Sequence, residues 1–184
     1  MWIDLSIPIS TASAALAAKN ESIVLHGHLG THFDVMNQVF PLRDFELPGV
    51  IVHVLNKEEI TLDDIDPARI HAGMFIAFHT GWIDRYSYGT SDYFHNHPQL
   101  SLDLIEYLLE QGISLIGIDG PGVRRGKEHT PMDQHCADHG VFIIENLCFK
   151  DMPAEIDACT FYTFPVRWMD SPGLPCRVAA RIAE

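Results

Sequence analysis

The sequence has few positive charges and few cysteines. Lys and Arg number 12 against 25 Asp and Glu, which gives a formal net charge of -13 at pH 7. Such an acidic surface repels phosphate backbones and anionic lipid, so nucleic acid and membranes are not expected as partners. The 4 cysteines form no CxxC pair and match no zinc-finger spacing. We expect them to be free thiols in a cytoplasmic protein.

Long apolar runs, internal repeats and low-complexity tracts are also missing. No apolar stretch is long enough to span a bilayer. The segment ASAALAA imitates a signal-peptide cleavage region, but it lacks a basic n-region and Asp4 interrupts the apolar run before it. We therefore expect no signal peptide, and we predict a single domain, 1–184, with one core.

Apolar and β-branched segments predict a fold rich in strands. The predicted strands are 2–6, 22–26, 49–55, 73–80, 114–119, 140–146, 158–166 and 175–182. Helices are predicted at 101–112, with Ser101 as N-cap, and at 130–140, with Thr130 as N-cap and Pro131 at the first helical position. Helix followed by strand occurs at 101–119 and at 130–146, which predicts an α/β domain with a β-rich centre and a few covering helices.

The segment HGHLGTHFDVMNQVF, which runs from His26 to Phe40, concentrates metal-ligand side chains around a glycine. On a strand, His28, Gly30, His32 and Asp34 would share one face, because side chains alternate with period two. Four residues of straight strand span about 13 Å, which is too far for two ligands about 2.0–2.2 Å from one zinc ion. A metal site therefore requires a bend, which we predict at Gly30. The alternative is a loop of solvated histidines.

Polar residues at the ends of predicted strands form a second group of candidates. Glu145 follows the apolar VFII, and a carboxylate is rarely buried without a partner, so we predict that it binds a metal or a group at the metal site. The same reasoning applies to Asp119, with a role in the turn as the alternative. Thr80 and Trp82 follow another buried strand and are candidates for binding a flat substrate, with plain core packing as the alternative for Trp82.

Other residues have competing interpretations. The sequence Thr130 to Asp133 resembles a capping box, in which the acid would bind a helix N-terminal amide. His129 precedes that helix and is a candidate base, with an exposed loop position as the alternative. His95 and His97 lie in a polar loop before a helix and are expected mostly at the surface, with a position lining the site as the alternative.

The segment HLGTHFD is similar to the HxGTHxD signature of the cyclase family of metal-dependent hydrolases, which includes bacterial kynurenine formamidase. Further segments resemble parts of the family in the same order: IDLSIPIS (3–10), FHTGW (78–82), LIGIDGPGV (115–123), FIIENL (142–147) and GLPCRVAA (173–180). The resemblance implies a swivelling β/α/β-type fold, a homodimer or homotetramer, and a divalent metal ion, zinc or manganese.

The resemblance also implies site residues and a reaction. His28, His32 and Asp34 match the primary metal ligands of the family, and Glu145 matches a glutamate that can bind a second metal. The implied reaction is hydrolysis of a small amide, N-formyl or cyclic amide substrate, a C–N bond other than a peptide bond, as in an arylformamidase.

The sequence departs from the family pattern DxPxH directly after Asp34. Met36 stands in place of the proline, and Gln38 stands in place of a histidine that transfers protons or binds a second metal. Gln38 thus occupies a catalytic position, but its amide cannot act as a general base near pH 7. A second family histidine falls near Asp133 here. Glu145 or His129 is then expected to take the proton of the attacking water.

Two other functions fit parts of the pattern. A non-catalytic metal- or ligand-binding member of the family would explain Met36 and Gln38. A ferrous oxygenase would use His32 and Asp34 as the start of a facial triad. It would also need a distal histidine with an arginine shortly after it, and Arg124 and Arg125 precede His129 instead.

Overall fold

The computed structural model describes residues 1–182 and contains one large sheet and one small one. The strands, in chain order, are β1 (Trp2–Asp4), β2 (His32–Asp34), β3 (Glu46–His53), β4 (Glu59–Ile60), β5 (Phe75–His79), β6 (Gln99–Leu100), β7 (Leu115–Ile118), β8 (Phe142–Glu145), β9 (Ala158–Pro165) and β10 (Gly173–Arg181). The apolar segments predicted as strands coincide with these elements, except for 22–26.

The large sheet closes on itself through β10. Its order is β1-β10-β2-β8-β7-β5-β3-β9, and β9 also pairs with β10. The pairs β3–β5, β5–β7 and β7–β8 are parallel, whereas β2 is antiparallel to both of its neighbours, β8 and β10. The result is a barrel-like sheet with a few helices, which confirms the predicted α/β class with a β-rich centre. β4 and β6 form a separate parallel pair.

Side-chain alternation divides the core into two clusters. Phe75 and Ala77 of β5 pack inside the barrel, and Ile76 and Phe78 pack outside it, under the helices. Glycine makes room inside, since a Cβ at Gly117 would lie 2.5 Å from the Phe75 ring. Interior packing of this kind is typical of small barrels, which side chains fill completely.

The helices are α1 (Thr11–Asn20), α2 (Trp82–Arg85), α3 (Ser91–Phe94), α4 (Leu102–Glu110) and α5 (His129–Asp138). In α4 the Ser101 hydroxyl accepts from the Leu104 amide, which confirms the predicted N-cap. At the other end Gln111 is the C-cap, and Gly112, where the predicted segment ends, follows it with a φ of 68°. Among the described residues, no helix combines the length and the apolar character needed to cross a membrane.

Several local predictions were wrong or incomplete, and the short elements α2, α3, β4 and β6 were not predicted. Residues Ser22–His26 form a 3-10 helix and not a strand, because Glu21 caps the Ile23 amide and Gly27 turns the chain with a φ of 89°. The helix α1, which the sequence analysis did not predict, begins with a capping box between Ser10 and Ser13. The remaining error concerns the start of α5.

The helix α5 begins one residue before the predicted N-cap. Glu128 is the N-cap and gives no side-chain capping bond, so Thr130 lies inside the helix and Pro131 is not at its first position. A 3-10 turn, Gly126–Glu128, leads directly into the helix. Because the chain is already helical in this 3-10 turn, α5 begins at His129 and needs no cap at Thr130. His129 therefore lies in the first turn of α5.

Candidate metal and active site

The loop that carries the first two histidines bends at glycine, as the spacing required. Gly30 has a φ of 71°, and residues 29–31 form bends before β2 begins at His32. The imidazole rings of His28 and His32 consequently lie with centroids 4.9 Å apart. The Gly30 amide donates to the Tyr88 hydroxyl at 2.8 Å, which holds the bend in place.

The pairing of β2 with its neighbours brings the acidic groups to the histidines. His32 lies directly opposite Glu145 of β8 in the antiparallel register. Directly opposed residues project to the same face of a sheet. The His32 Nε2 atom therefore lies 3.4 Å from Glu145 Oε2 and 3.5 Å from Asp34 Oδ1, while His28 Nε2 lies 3.1 Å from the same Asp34 oxygen.

Backbone carbonyls fix which nitrogen each imidazole presents. His28 Nδ1 lies 2.9 Å from the His26 carbonyl oxygen, and His32 Nδ1 lies 2.8 Å from the Gly30 carbonyl oxygen. Since a carbonyl only accepts, both Nδ1 atoms carry a proton, and Nε2 is the atom of each ring that is left to bind a metal ion. Histidines that ligate metals are oriented in this way.

The atoms that this arrangement leaves unpaired fit a divalent cation. His32 Nε2 and Asp34 Oδ2 are buried and have no hydrogen-bond partner among the described residues. One ligand atom from each of His28, His32 and Asp34 lies within 4.8 Å of the others. Unpaired buried polar atoms are costly, and two imidazoles with one carboxylate suit zinc, manganese or ferrous iron.

A second cluster adjoins the triad through Glu145. His129 Nε2 lies 2.9 Å from Glu145 Oε1 and 3.3 Å from Asp133 Oδ2. Asp133 is 4% exposed and faces this cluster, so the predicted capping role is wrong. Its Oδ1 atom is buried without a partner in the described chain. Asp34, His129 and Asp133 also offer ligand atoms within 4.8 Å of one another.

The crowded carboxylates shift the protonation of their neighbours. Burial disfavours charge on His32, but Asp34 and Glu145 outweigh it and raise the pKa of His32 to about 9. Burial likewise opposes charge on His129, while Glu145 and Asp133 raise the pKa of its imidazole to about 10. Burial, together with the nearby Asp34, raises the pKa of Asp133 well above its ordinary value. Without a metal ion, the cluster thus retains protons near neutral pH.

One cavity of about 460 Å³ opens over both clusters. This volume is within the range of small-molecule sites. Apolar and polar side chains share its wall, which is lined by Glu21, Ile23, Val24, His28, His32, Asp34, Met36, Phe94, His95, His97, Pro121, Gly126, His129, Thr130, Asp133, Glu145, Asn146 and Pro172.

Comparison with known proteins agrees with this geometry. The family model described as "Putative cyclase" matches residues 3–125. The chain belongs to this family. A kynurenine formamidase of Bacillus thuringiensis is 26% identical over 98% of this chain and 97% of its own length.

Solved structures of cyclase-like hydrolases share the fold. A protein described as a potential metal-dependent hydrolase with cyclase activity has a TM-score of 0.80 and 24% identity, covering 100% of this chain and 99% of its own. An isatin hydrolase of Labrenzia aggregata has a TM-score of 0.68 and 21% identity, covering 84% of this chain and 73% of its own.

The position of Gln38 sets this member apart from the cyclase family signature. Its side chain is exposed, and its amide nitrogen donates to Asn37 Oδ1 at 3.1 Å and to Asp138 Oδ1 at 3.3 Å. Gln38 thus lies at the surface beside α5, whereas His129 and Glu145 line the cavity.

Thr80 and Trp82 are buried beside Asp119 and are not among the residues that line the cavity. Asp119 Oδ1 accepts from the Thr80 hydroxyl at 2.6 Å, and the Trp82 indole donates to the Tyr93 carbonyl at 2.9 Å. Burial raises the pKa of Asp119 to about 6, against the lowering effect of its hydrogen bonds from Thr80 and Gly81. These residues anchor the turn after β5.

Two cavity residues differ from the main expectation. His97 is 2% exposed and lines the cavity, so its expected surface position was wrong and the alternative, a position in the lining, holds. Asn146 follows Glu145, has a φ of 59°, and donates from Nδ2 to the Gly30 carbonyl at 2.9 Å. Asn146 thereby holds the bend that positions His32. No local pattern around either residue distinguishes it from an ordinary loop residue.

Proposed function

We propose that this protein is a metal-dependent hydrolase that cleaves a small amide, N-formyl or cyclic amide substrate. The observation that carries the proposal is the convergence of His28, His32 and Asp34 with the Glu145–His129 pair in one cavity. The family membership and the names of its relatives, kynurenine formamidase and isatin hydrolase, support it.

His28, His32 and Asp34 would hold the ion through two Nε2 atoms and one carboxylate, with Glu145 adjacent as a further ligand or base. We propose zinc or manganese, since both accept this donor set. A divalent ion bound there would lower the pKa of a water molecule and polarise the substrate carbonyl.

Glu145 is suited to act as the base. Its Oε2 atom faces His32, and its Oε1 atom accepts a hydrogen bond from His129 Nε2. We propose that Oε2 takes the proton of the attacking water and returns it to the leaving nitrogen. His129 holds the Glu145 carboxylate in this orientation. Glu145 would then take the place of the family histidine that Gln38 replaces.

The test is hydrolysis by protein that has been stripped of metal and then reloaded. A panel of formanilide, an N-formyl amine, a cyclic imide and simple esters would be assayed with Zn²⁺ or Mn²⁺. We expect amide hydrolysis that disappears after chelation and returns with metal. Metal-replete protein that is inert on the whole panel, yet binds a small carboxylate in calorimetry, would favour the non-catalytic alternative suggested by Met36 and Gln38.

We also propose a homodimer or homotetramer. Large apolar side chains lie exposed on β1, β9 and the segment after it: Trp2, Phe164, Val166, Trp168 and Met169. Clustered exposed apolar side chains are typical of association surfaces. Light scattering coupled to size exclusion would test this assembly, and a monomer at micromolar concentration would contradict it.

A further inference from the structure

The cavity wall contains one buried imidazole that the proposed chemistry does not use. His97 lies in the loop between α3 and β6 and is 2% exposed. Asn96, which precedes it, has a φ of 58°, a conformation that turns the chain sharply at this point. The ring fits beside the turn after β7, where a Cβ at Gly120 would lie 3.7 Å from the His97 Cβ.

The hydrogen bonding of His97 defines its tautomer. Its Nδ1 atom lies 3.0 Å from the Pro98 carbonyl oxygen, which can only accept, so Nδ1 carries the proton. Nε2 then offers a lone pair, and no described residue lies within hydrogen-bonding distance of it. Burial, together with the positive charges of His129 and Arg125, lowers the pKa of His97 to about 4. The ring is therefore a neutral acceptor at pH 7.

The other polar groups of the wall beyond the two acidic clusters are already engaged or exposed. Asn146 donates to the Gly30 carbonyl and accepts from the Tyr93 hydroxyl. Glu21 accepts from the Ile23 amide, and His95 is exposed with its Nδ1 on the Ser91 carbonyl. His97 Nε2 is thus an acceptor without a hydrogen-bond partner in the described chain, and it belongs to a buried ring that lines this wall.

His97 and His129 pack against the same turn. A Cβ at Gly120 would lie 3.7 Å from the His97 Cβ, and a Cβ at Gly122 would lie 2.9 Å from His129 Nε2. Both rings line the same cavity. A planar amide whose carbonyl oxygen points to the triad directs its N–H to the opposite side, away from the metal ligands.

We propose that His97 Nε2 accepts a hydrogen bond from the N–H of the scissile amide, so that the cavity selects secondary amides over esters. An ester places a lone pair where the amide has its N–H, and two acceptors repel each other. Sites built to hydrogen-bond a substrate group discriminate strongly against analogues that lack it. His97 is a positioning residue in this scheme, and the inference rests on the proposed hydrolase function.

Two variants test the two ring nitrogens of His97 separately, because each keeps a polar group at only one of the two positions. In His97→Asn, the side-chain amide can still donate to Pro98 but presents no acceptor at the Nε2 position. In His97→Gln, the amide oxygen reaches the Nε2 position. We expect His97→Asn to lower kcat/KM on formanilide about 10- to 100-fold and to leave phenyl formate, corrected for spontaneous hydrolysis, within about 3-fold. His97→Gln should restore most of the formanilide activity.

Each outcome bears on the inference. Equal losses on both substrates in His97→Asn would indicate a packing role, and unchanged activity on both would indicate no role, so either result overturns the inference alone. A metal-loaded wild-type protein that hydrolyses no amide of the panel overturns the proposed amidase function and this inference with it, whereas one that cleaves the ester or a cyclic imide but not formanilide overturns the inference alone.

A measurement on the unaltered chain covers the case in which the variants do not fold. Nitrogen-15 spectra of the histidine rings in zinc-loaded protein should show His97 as a neutral ring protonated at Nδ1 at pH 7. The signal can be assigned in the unaltered chain by through-bond correlation of the ring with the backbone of His97, itself assigned sequentially. A ring protonated at Nε2, or a charged ring, would overturn the inference.

Discussion

His32 and Glu145 lie directly opposite each other on two antiparallel strands, with Nε2 and Oε2 3.4 Å apart. The register of β2 and β8 thus joins a candidate metal ligand from the first part of the chain to a candidate base from the last part. His129 completes the arrangement from the other side of Glu145. The site follows from strand pairing and from one bend at Gly30.

The first prediction concerns the primary ligand. His32→Ala should remove bound metal and reduce metal-dependent hydrolysis to background, because two remaining ligands hold a divalent ion poorly. Metal content per chain and kcat/KM would be measured together. His71→Ala, which alters an exposed loop histidine, is the matched control and should retain both. Full activity in His32→Ala would refute the assigned site.

The second prediction concerns the base. Glu145→Gln keeps the shape of the side chain but removes its basicity, so kcat should fall about 10²- to 10⁴-fold, the range for a lost general base. The same variant should still fold, as judged by circular dichroism. Retention of more than a tenth of the activity would show that another group takes the proton.

The third prediction concerns Asp133, whose buried carboxylate faces Asp34 and Glu145. Because burial, together with these like charges, raises the pKa of Asp133 well above its ordinary value, Asp133→Asn should stabilise the metal-free protein. The expected gain is about 1 kcal/mol, or about 2–4 °C in Tm. The number of metal ions bound per chain, measured in the wild-type protein and in this variant, also tests whether the cluster of Asp34, His129 and Asp133 binds a second ion. A fall from two ions per chain to one would place an ion there, whereas one ion in both proteins would leave Asp133 a purely electrostatic role.

The fourth prediction concerns pH. Binding of a proton to His32 is stronger in the folded, metal-free protein, where its pKa is about 9, than in the unfolded chain, whose ordinary value is 6.5. This proton therefore stabilises the fold fully below pH 6.5, and the contribution is lost as pH rises towards 9. Denaturant unfolding of metal-free protein should show stability falling across that interval. The free energy of unfolding should fall less steeply with pH in His32→Gln. An equally steep fall in both proteins would show that His32 does not cause it.

The fifth prediction tests how the fold supports His28 without altering a ligand. A Cβ at Gly173 would lie 2.7 Å from the His28 ring atoms Cε1 and Nδ1. Gly173→Ala should therefore displace that imidazole and weaken metal binding by at least about tenfold, the scale of lost support around a ligand. Gly73→Ala is the control, since its φ of 76° imposes backbone strain while the added methyl meets nothing within 4 Å. Equal metal affinities in the two variants would contradict the assigned role.

The sequence predicts most strands from local patterns. It makes His28, His32 and Asp34 candidate metal ligands through their spacing and through the resemblance to the family signature. Alternating and β-branched segments predict the strands of the barrel, and the distance limit between His28 and His32 predicts the bend at Gly30. The error at 22–26 arises because Glu21 and Gly27, which flank an apolar segment, close it into a 3-10 helix.

The remainder of the site depends on tertiary pairing that no local pattern records. Asp133 resembles a helix cap in sequence, yet the 3-10 turn before α5 moves the start of the helix and turns this carboxylate towards His129. His97 resembles a loop histidine, and only the packing of its loop against the turn at Gly120 buries it.

We propose that a divalent ion binds between His28, His32 and Asp34. An anomalous difference map from crystals of the purified protein would locate this ion, with data collected on both sides of the absorption edge of the metal identified by elemental analysis. We expect a peak within about 2.0–2.2 Å of the two Nε2 atoms and a carboxylate oxygen of Asp34. Metal-replete crystals with no peak there, or with the peak elsewhere, would contradict it.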